Sequence, residues 1–139
     1  MVAKKPAAGV FIHPITIYAE DIDDLGHVNN QVYVRWVQEA AKAHWELLSD
    51  AAIRKQYYWI VLRHEIDYLL PVIPEMTIKA HTWVGETGGV RSVRHVEIVA
   101  GETGRICCKA LTTWCLMDAA THKPARIDEK MRQLLLAGQ

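Results

Sequence analysis

The residues of this chain best suited to chemistry stand together in the segment "EDIDDLGHVNN", directly ahead of an apolar run. A carboxylate such as Asp23 can act as a general base on water or attack a carbonyl directly. If a helix begins after this segment, its free backbone amides can hold a developing oxyanion. His27 and Asn30 could then orient water or carbonyl, and Gly26 would let a substrate approach the backbone. The spacing therefore fits acyl transfer.

The same segment also has a structural interpretation that needs no substrate. Acidic side chains are stabilised near a helix N-terminus, and Asn29 or Asn30 can cap the free amides. Gly26 could simply supply a turn with positive φ, and His27 could bond only to the backbone. For Asp23 the alternative is a cap or an ion pair. Capping accounts for a single acid, however, and leaves the other, mutually repelling carboxylates unexplained.

A long helix is predicted to start at Asn29. Apolar residues there recur at steps of three or four, which places them on one helical face. The stripe consists of Val32, Trp36, Ala40, Ala43 and Leu47. A second set widens it and consists of Val28, Tyr33, Val37, Ala41, His44 and Leu48. Because so much of the circumference is apolar, we expect a largely buried helix at the centre of the molecule.

The rest of the chain is predicted to form one antiparallel sheet. A strand precedes the helix, and its Pro14 indicates an edge position. The predicted strands are residues 11–20, 57–70, 76–85, 90–100 and 105–118, with turns at 86–89 and 101–104 and a closing helix at 128–138. This order predicts an α+β fold with a five-stranded antiparallel sheet around one long central helix. The long sheet edges predict a homodimer, in which two sheets meet.

The composition narrows the class of protein. With 139 residues, half of them hydrophobic and a formal net charge of zero, the chain is expected to be one folded domain, with residues 1–9 flexible. Because the chain has no excess of basic residues, nucleic acid is not an expected partner. No apolar run is long enough to span a membrane, and no signal peptide is apparent. The cysteines Cys107, Cys108 and Cys115 are predicted to be buried thiols, which favours a cytoplasmic protein.

Other catalytic patterns are weak in this sequence. The histidines do not form HExxH and lack ligand-like spacing, so no metal site is predicted. The three cysteines lie in a strand that is apolar on both faces, which should raise their pKa values and make them poor nucleophiles. No GxSxG elbow is present, which disfavours a serine hydrolase.

The motif D-x-D-x-x-G-H-V-N-N-x-x-Y, at residues 21–33, resembles the signature of the hotdog-fold thioesterases. The similarity is to the 4-hydroxybenzoyl-CoA thioesterase-like branch, which includes bacterial acyl-CoA thioesterases and plant acyl-carrier-protein thioesterases. It continues through Trp36, the "EA" that follows, and "HEIDYLLPV" at residues 64–72. The resemblance therefore covers most of the chain.

The resemblance implies a hotdog fold, dimers as the basic unit with tetramers as the larger alternative, and sites at the dimer interface. It implies hydrolysis of acyl thioesters of coenzyme A or acyl-carrier protein, with no metal or other cofactor. The family's catalytic acid falls on Asp23, its helical acid on Glu39, and the histidine of the plant-like pattern on His27. An asparagine of the plant pattern is Leu25 here, which leaves the roles of His27 and Asn30 open.

Substrate contacts are expected around the same loop and on the later strands. Gly26, Val28 and Tyr33 would contact the thioester or its acyl group, although Tyr33 fits core packing as well. The late strands carry basic residues that could meet the phosphates of coenzyme A, although surface strands commonly carry such charges: Arg91, Arg94, Arg105 and Lys109. Glu39 could equally form a buried structural ion pair. An acyl-thioester hydratase or dehydratase of the same fold, and a non-catalytic acyl-CoA binder, are the alternative functions.

Overall fold

Five strands form one antiparallel sheet, whose order from edge to edge is first, third, fourth, fifth and second. The computed structural model describes residues 5–6 and 9–137. Its elements are β1 (Phe11–Ile15), α1 (Asn30–Leu48), α2 (Ala51–Gln56), β2 (Tyr57–Tyr68), β3 (Ile78–Gly88), β4 (Arg91–Ala100), β5 (Ile106–Asp118) and α3 (Glu129–Leu135). The predicted α+β class and the five-stranded antiparallel sheet are therefore confirmed.

The strand pattern of the sequence explains the sheet. In β3, Ile78, Ala80 and Thr82 are buried at every second position, so one face of this strand turns toward the core. β5 pairs with both β4 and β2, as its apolar character on both faces predicted. Pro14 lies in β1, which is an edge strand and tolerates the missing amide donor.

Helix α1 begins because Asn29 caps it, with its side-chain Oδ1 accepting from the Gln31 amide at 3.0 Å. One face of the helix packs on the sheet, mainly on β3 and β1. Its buried residues are Tyr33, Trp36, Val37, Ala40, Ala41 and His44. The opposite face is open in the single chain, and Leu47 of the predicted stripe is 69% exposed. The expectation of a largely buried helix is thus met on one face only.

Several predicted boundaries are wrong, each for a local reason. β1 ends at Ile15, because the chain then turns through a short 3₁₀ segment at Ala19–Asp21. α2 was not predicted; Asp50 caps it by accepting from the Ile53 amide at 2.9 Å. The predicted turn at 86–89 lies later, because β3 continues to Gly88.

The core has two parts. The larger surrounds Trp36, which is fully buried between α1 and the sheet, and the smaller lies where Met131 and Leu135 of α3 cover Leu116. The three cysteines are buried and free, as predicted, and burial raises the pKa of the Cys108 thiol to about 12.

Most of the segment predicted to be flexible, residues 1–9, lies outside the described residues. Within the described part of the chain, no helix has the length and apolar character needed to cross a membrane.

Candidate active site

Residues 23–27 form a closed loop immediately before α1. The backbone of Asp23 donates to the carbonyl of His27 at 2.7 Å and accepts from the amide of Gly26 at 3.1 Å. The Asp23 side chain folds back over this loop, with Oδ1 accepting from the amides of Leu25 at 2.9 Å and His27 at 3.0 Å. Gly26 has φ +78°, a conformation that glycine adopts at no steric cost. The sequence thus makes a tight turn that presents one carboxylate.

The second carboxylate oxygen of Asp23, Oδ2, makes no hydrogen bond to any described residue. Asp23 is half-buried and lines a cleft of about 490 Å³ at the N-terminus of α1. His27, Asn30 and Tyr33 line the same cleft, and the segment from Tyr68 to Pro71 forms its other wall. One oxygen of this carboxylate is therefore held in place, while the other is free to meet a ligand.

Fewer backbone amides are free at the start of α1 than the sequence suggested. The His27 amide is taken by Asp23, the Val28 amide by the carbonyl of Val72 at 2.8 Å, and the Asn29 amide by the carbonyl of Asp21 at 2.8 Å. The Asn30 amide is the first of the helix and has no intrahelical acceptor. Within the part of the chain that is described, it is the one amide of residues 27–30 left for a substrate.

A neighbouring acid, Asp21, has a structural role. It is 2% exposed and accepts two hydrogen bonds from Arg35 of α1, at 2.9 and 2.8 Å, and one from the Tyr18 amide at 2.9 Å. The hydrogen bonds from Arg35 hold the pKa of the Asp21 carboxyl below its usual range, against the opposing effect of burial. Asp21 therefore ties the loop to the second turn of the helix.

Replacing Asp21 with Asn is expected to lower the free energy of unfolding by about 2 kcal/mol. Breaking a fully buried pair costs more, but the Arg35 side chain is 40% exposed and can be solvated by water. Chemical denaturation at neutral pH measures the change. The matched control is Asp24→Asn, because Asp24 is exposed and forms no ion pair with any described residue. Equal stability of the two variants would show that the Arg35 pair contributes nothing.

Two tyrosines give the cleft a rigid wall. Tyr33 is buried and makes edge-to-face contacts with Trp36 and Tyr68, at centroid distances of 5.1 and 5.3 Å. Burial raises the pKa of Tyr33 to about 12, so its hydroxyl stays protonated at neutral pH. The Tyr68 hydroxyl donates to the carbonyl of Asn30 at 3.3 Å, which joins the end of β2 to the start of α1.

The structure brings only some of the predicted residues together. Asp23, His27, Val28, Asn30 and Tyr33 share the cleft. Four other predicted residues do not line it: Gly26, Glu39, Arg91 and Arg94.

Those four residues have other surroundings. A Cβ at Gly26 would meet nothing within 4 Å, so its positive φ, not crowding, is what favours glycine there. Glu39 is exposed on α1 and lies 3.4 Å from Arg35 Nε, so its ion pair is at the surface and is not the buried pair considered as its alternative role. Arg91 is exposed at the start of β4. Arg94 is only 6% exposed and lies on the buried alternation of β4, so its side chain is not at the surface; a contact with coenzyme A phosphates stays a prediction.

Arg94 instead forms a buried pair with a histidine of α1. Its Nη1 donates to His44 Nδ1 at 2.8 Å and to Thr82 Oγ1 at 3.1 Å. Burial, and secondarily the charge of Arg94, lowers the pKa of His44 to about 4, so the imidazole is neutral at pH 7. Because a guanidinium can only donate, Nδ1 of His44 is the unprotonated nitrogen.

The described residues contain no group of three or more histidine, cysteine or acidic side chains arranged to hold a metal ion. The groups that the cleft offers to a ligand are the Asp23 carboxylate, the Asn30 amide, and the side chains of His27 and Asn30.

One protein-family model matches the part of the chain that contains the cleft. A family model described as the thioesterase-like superfamily matches residues 17–135, which include the Asp23 loop, α1 and the strands β2 to β5. The chain belongs to the thioesterase-like superfamily. No curated protein matches the chain significantly.

Solved structures of thioesterases share the fold of this superfamily member. A thioesterase superfamily protein from Jannaschia sp. CCS1 is 21% identical, with a TM-score of 0.87 over 97% of this chain and 96% of its own. The 1,4-dihydroxy-2-naphthoyl-CoA thioesterase Slr0204 from Synechocystis is 17% identical, with a TM-score of 0.78 over 91% and 96%. A thioesterase from Thermus thermophilus, complexed with coenzyme A and Zn, is 22% identical, with a TM-score of 0.80 over 91% and 97%. At these identities the likeness establishes the fold.

Some features of the candidate site were not found from the sequence. The resemblance singled out Asp23 among the acids before α1, but no sequence signal indicated that Asp21 pairs with Arg35. Leu69 and Leu70 form part of the cleft wall, and their backbone amides donate to the carbonyl of Cys107 at 2.8 and 3.0 Å. These hydrogen bonds exist only in the folded sheet. The orientation of Arg94, by contrast, could have been predicted, because it falls on the buried alternation of β4.

Proposed function

We propose that this member of the thioesterase-like superfamily hydrolyses acyl-CoA thioesters to the free carboxylic acid and coenzyme A. The observation that carries the proposal is Asp23, whose Oδ1 is fixed by two amides while Oδ2 is free in the cleft. A carboxylate with one oxygen anchored is already oriented for proton transfer or attack. Coenzyme A is bound by the similar Thermus thermophilus thioesterase, which supports this class of substrate.

In the proposed reaction the thioester carbonyl accepts a hydrogen bond from the Asn30 amide, at the positive end of the α1 dipole. Asp23 Oδ2 removes a proton from water, and the hydroxide adds to the carbonyl carbon. The tetrahedral intermediate collapses with cleavage of the carbon–sulfur bond, and the thiolate of coenzyme A leaves and takes up the proton. If Asp23 attacks the carbonyl directly, water cleaves the resulting anhydride, and the products are the same.

His27 and the side chain of Asn30 are proposed to orient the water or the carbonyl. Both line the cleft beside Asp23, and neither side chain has a hydrogen-bond partner among the described residues. They are therefore free to bond to a ligand. Val28 and Tyr33 would form the apolar wall against the acyl group. No metal or other cofactor takes part in this proposal.

We further propose that the chain acts as a homodimer built through the edge strand β2. Three large apolar side chains at or near this edge are exposed: Ile60 is 40% exposed, Leu62 46% and Tyr68 46%. Pairing two edges would cover them and the open face of α1, which would make that helix central in the assembly. Glu39, on the open face, would then be placed to contribute to a site shared between chains. Arg91 remains a candidate for the phosphates of coenzyme A.

A panel of acyl-CoA thioesters of different length and ring content, followed by release of free thiol, tests the proposed activity. An acyl-carrier-protein thioester in the same panel tests the alternative carrier, and loss of enoyl absorbance tests the hydratase alternative. We expect thiol release with at least one acyl-CoA. Tight binding of every thioester without thiol release would contradict the proposal and favour a binding protein.

A further inference from the structure

A second cavity of about 450 Å³ lies at the other end of α1 from the Asp23 cleft. Its walls include Trp45 of α1, Trp59 of β2 and Trp114 of β5, and we call it the tryptophan cavity. Arg94 and Ser92 of β4 also line it. Asn30 of the cleft and Ala41 of the cavity are both on α1, and at 1.5 Å per residue they lie about 17 Å apart along the helix.

Arg94 is a buried cation without a counterion. It is 6% exposed, and its recorded partners, His44 and Thr82, are both neutral at pH 7. No carboxylate of the described residues lies within 4.0 Å of its guanidinium. Burial lowers the pKa of Arg94 to about 10, which still leaves it charged at neutral pH. Buried charges are normally paired, because leaving water is costly for an ion.

Trp114 provides a second, independent sign of a missing partner. Its indole Nε1 is buried and has no hydrogen-bond acceptor within the described structure. Buried polar atoms are bonded in the large majority of cases, so an orphaned donor needs an explanation. Trp114 pairs with Ser92 in the β4–β5 register and Thr112 pairs with Arg94, so Arg94 and Trp114 are diagonal neighbours on one face of the sheet. A single acceptor group between these two side chains would satisfy both the guanidinium and the indole N–H.

The charge around the cavity favours an anion over a neutral acceptor. Lys42 and Arg54 line it together with Arg94, whereas Glu46 is the one acid among its described lining residues. Trp45 and Trp59, in edge-to-face contact at 5.7 Å, provide an apolar corner in which the two rings are perpendicular. A planar guanidinium matches a carboxylate, because its parallel N–H groups can bond both oxygens. The cavity thus combines a site for a carboxylate with a surface for a hydrocarbon or aromatic body.

We propose that the tryptophan cavity binds an organic acid, with its carboxylate held by Arg94 and Trp114 Nε1 and its apolar body against Trp45 and Trp59. Two sources share this chemistry: a free carboxylic acid, or the far carboxylate of an acyl group derived from a dicarboxylic acid. Binding of a free acid is independent of the hydrolytic function proposed above, whereas the second source rests on that function. The other lining cations would strengthen the attraction without contacting the carboxylate.

Equilibrium titration of the full chain with phenylacetate, and with the neutral isostere phenylacetamide, tests the proposal. Quenching of tryptophan fluorescence reports binding, because three tryptophans line the cavity, and calorimetry gives the affinity independently. We expect phenylacetate to bind at least tenfold more tightly than phenylacetamide. Equal affinity for the acid and the amide, or no binding of either, would overturn the proposal.

Three variants assign the binding to this cavity. Arg94→Met is expected to remove the preference for the acid, and Trp114→Phe, which keeps the ring but loses the N–H, to weaken acid binding several-fold. Arg105→Met is the matched control, because Arg105 is exposed just before β5. If Arg94→Met folds and binds phenylacetate as tightly as the wild type, the proposal is wrong. If Arg94→Met does not fold, Trp114→Phe decides: unchanged affinity for phenylacetate in that variant overturns the proposal.

Thiol release from hexadecanedioyl-CoA and palmitoyl-CoA, whose sixteen-carbon chains are long enough to reach from the cleft to the cavity, distinguishes the two sources. If Arg94→Met slows only hexadecanedioyl-CoA, the carboxylate belongs to the acyl group. If both thioesters react equally in wild type and variant while phenylacetate still binds the wild type, the ligand is a free acid. The titration with phenylacetate needs no turnover. It therefore tests carboxylate binding in the tryptophan cavity even if the protein hydrolyses no thioester.

Discussion

Replacing Asp23 with Asn is expected to lower kcat/KM for a good acyl-CoA substrate by at least about 100-fold. The amide has nearly the same shape, and its oxygen can still accept from the amides of Leu25 and His27, so the loop should keep its conformation. It can neither remove a proton from water nor attack a carbonyl. The loss should fall on kcat more than on KM, because the role proposed for the carboxylate is in the transition state.

The control for this variant is Asp24→Asn, one residue along. Asp24 is exposed and does not line the cleft, so its loss should change kcat/KM by less than about twofold. Thiol release with both proteins, together with circular dichroism and the denaturation midpoint, separates chemistry from folding. Full activity in a folded Asp23→Asn protein would remove Asp23 from the mechanism and leave the cleft without a base.

Acidification is expected to destabilise the protein through His44. The pKa of His44 is about 4 in the folded protein and about 6.5 when exposed, so the folded state binds fewer protons between these values. The stabilising contribution is therefore complete above about pH 7 and is lost as the pH falls toward 4. At 1.36 kcal/mol per unit, the free energy of unfolding should fall by roughly 3 kcal/mol.

The variant that isolates this effect is His44→Gln, because the glutamine oxygen can still accept from Arg94 but does not titrate. In denaturation curves at a series of pH values, the stability of the wild type should depend more steeply on pH than that of the variant. Burial also lowers the pKa values of His64, His81 and His95, but these groups are present in both proteins and cancel in the difference. Parallel pH dependences for the two proteins would assign the acid sensitivity to other groups.

Much of the fold could be predicted from periodicity. The repeat of apolar residues located α1, and runs of β-type or apolar residues between turn signals located the four later strands, because these patterns are local. The short α2 was missed, since its six residues have no apolar repeat and depend on the cap at Asp50. The open face of α1 was also missed, because apolar content alone does not tell which neighbours exist in a single chain.

Less of the candidate site could be predicted, because its geometry depends on contacts across the sheet. The motif located the loop, but the three occupied amides depend on partners at Val72, Asp21 and Asp23, which the sequence does not pair. The distinct roles of the two aspartates likewise follow from the position of Arg35 one helical turn into α1. Arg94 was assigned to the surface, although its place in the alternation of β4 pointed inward.

The opposite directions of α1 and β2 have a consequence for assembly. β2 runs from Trp59, at the tryptophan cavity, to Tyr68, at the Asp23 cleft. A two-fold axis across this edge reverses the strand, so each cleft would come to lie beside the cavity of the other subunit. The carboxylate proposed for hydrolysis and the arginine proposed to hold an acid would then belong to different polypeptides. For a thioester whose turnover needs both groups, mixed dimers of an Asp23 variant and an Arg94 variant would regain one intact site by complementation.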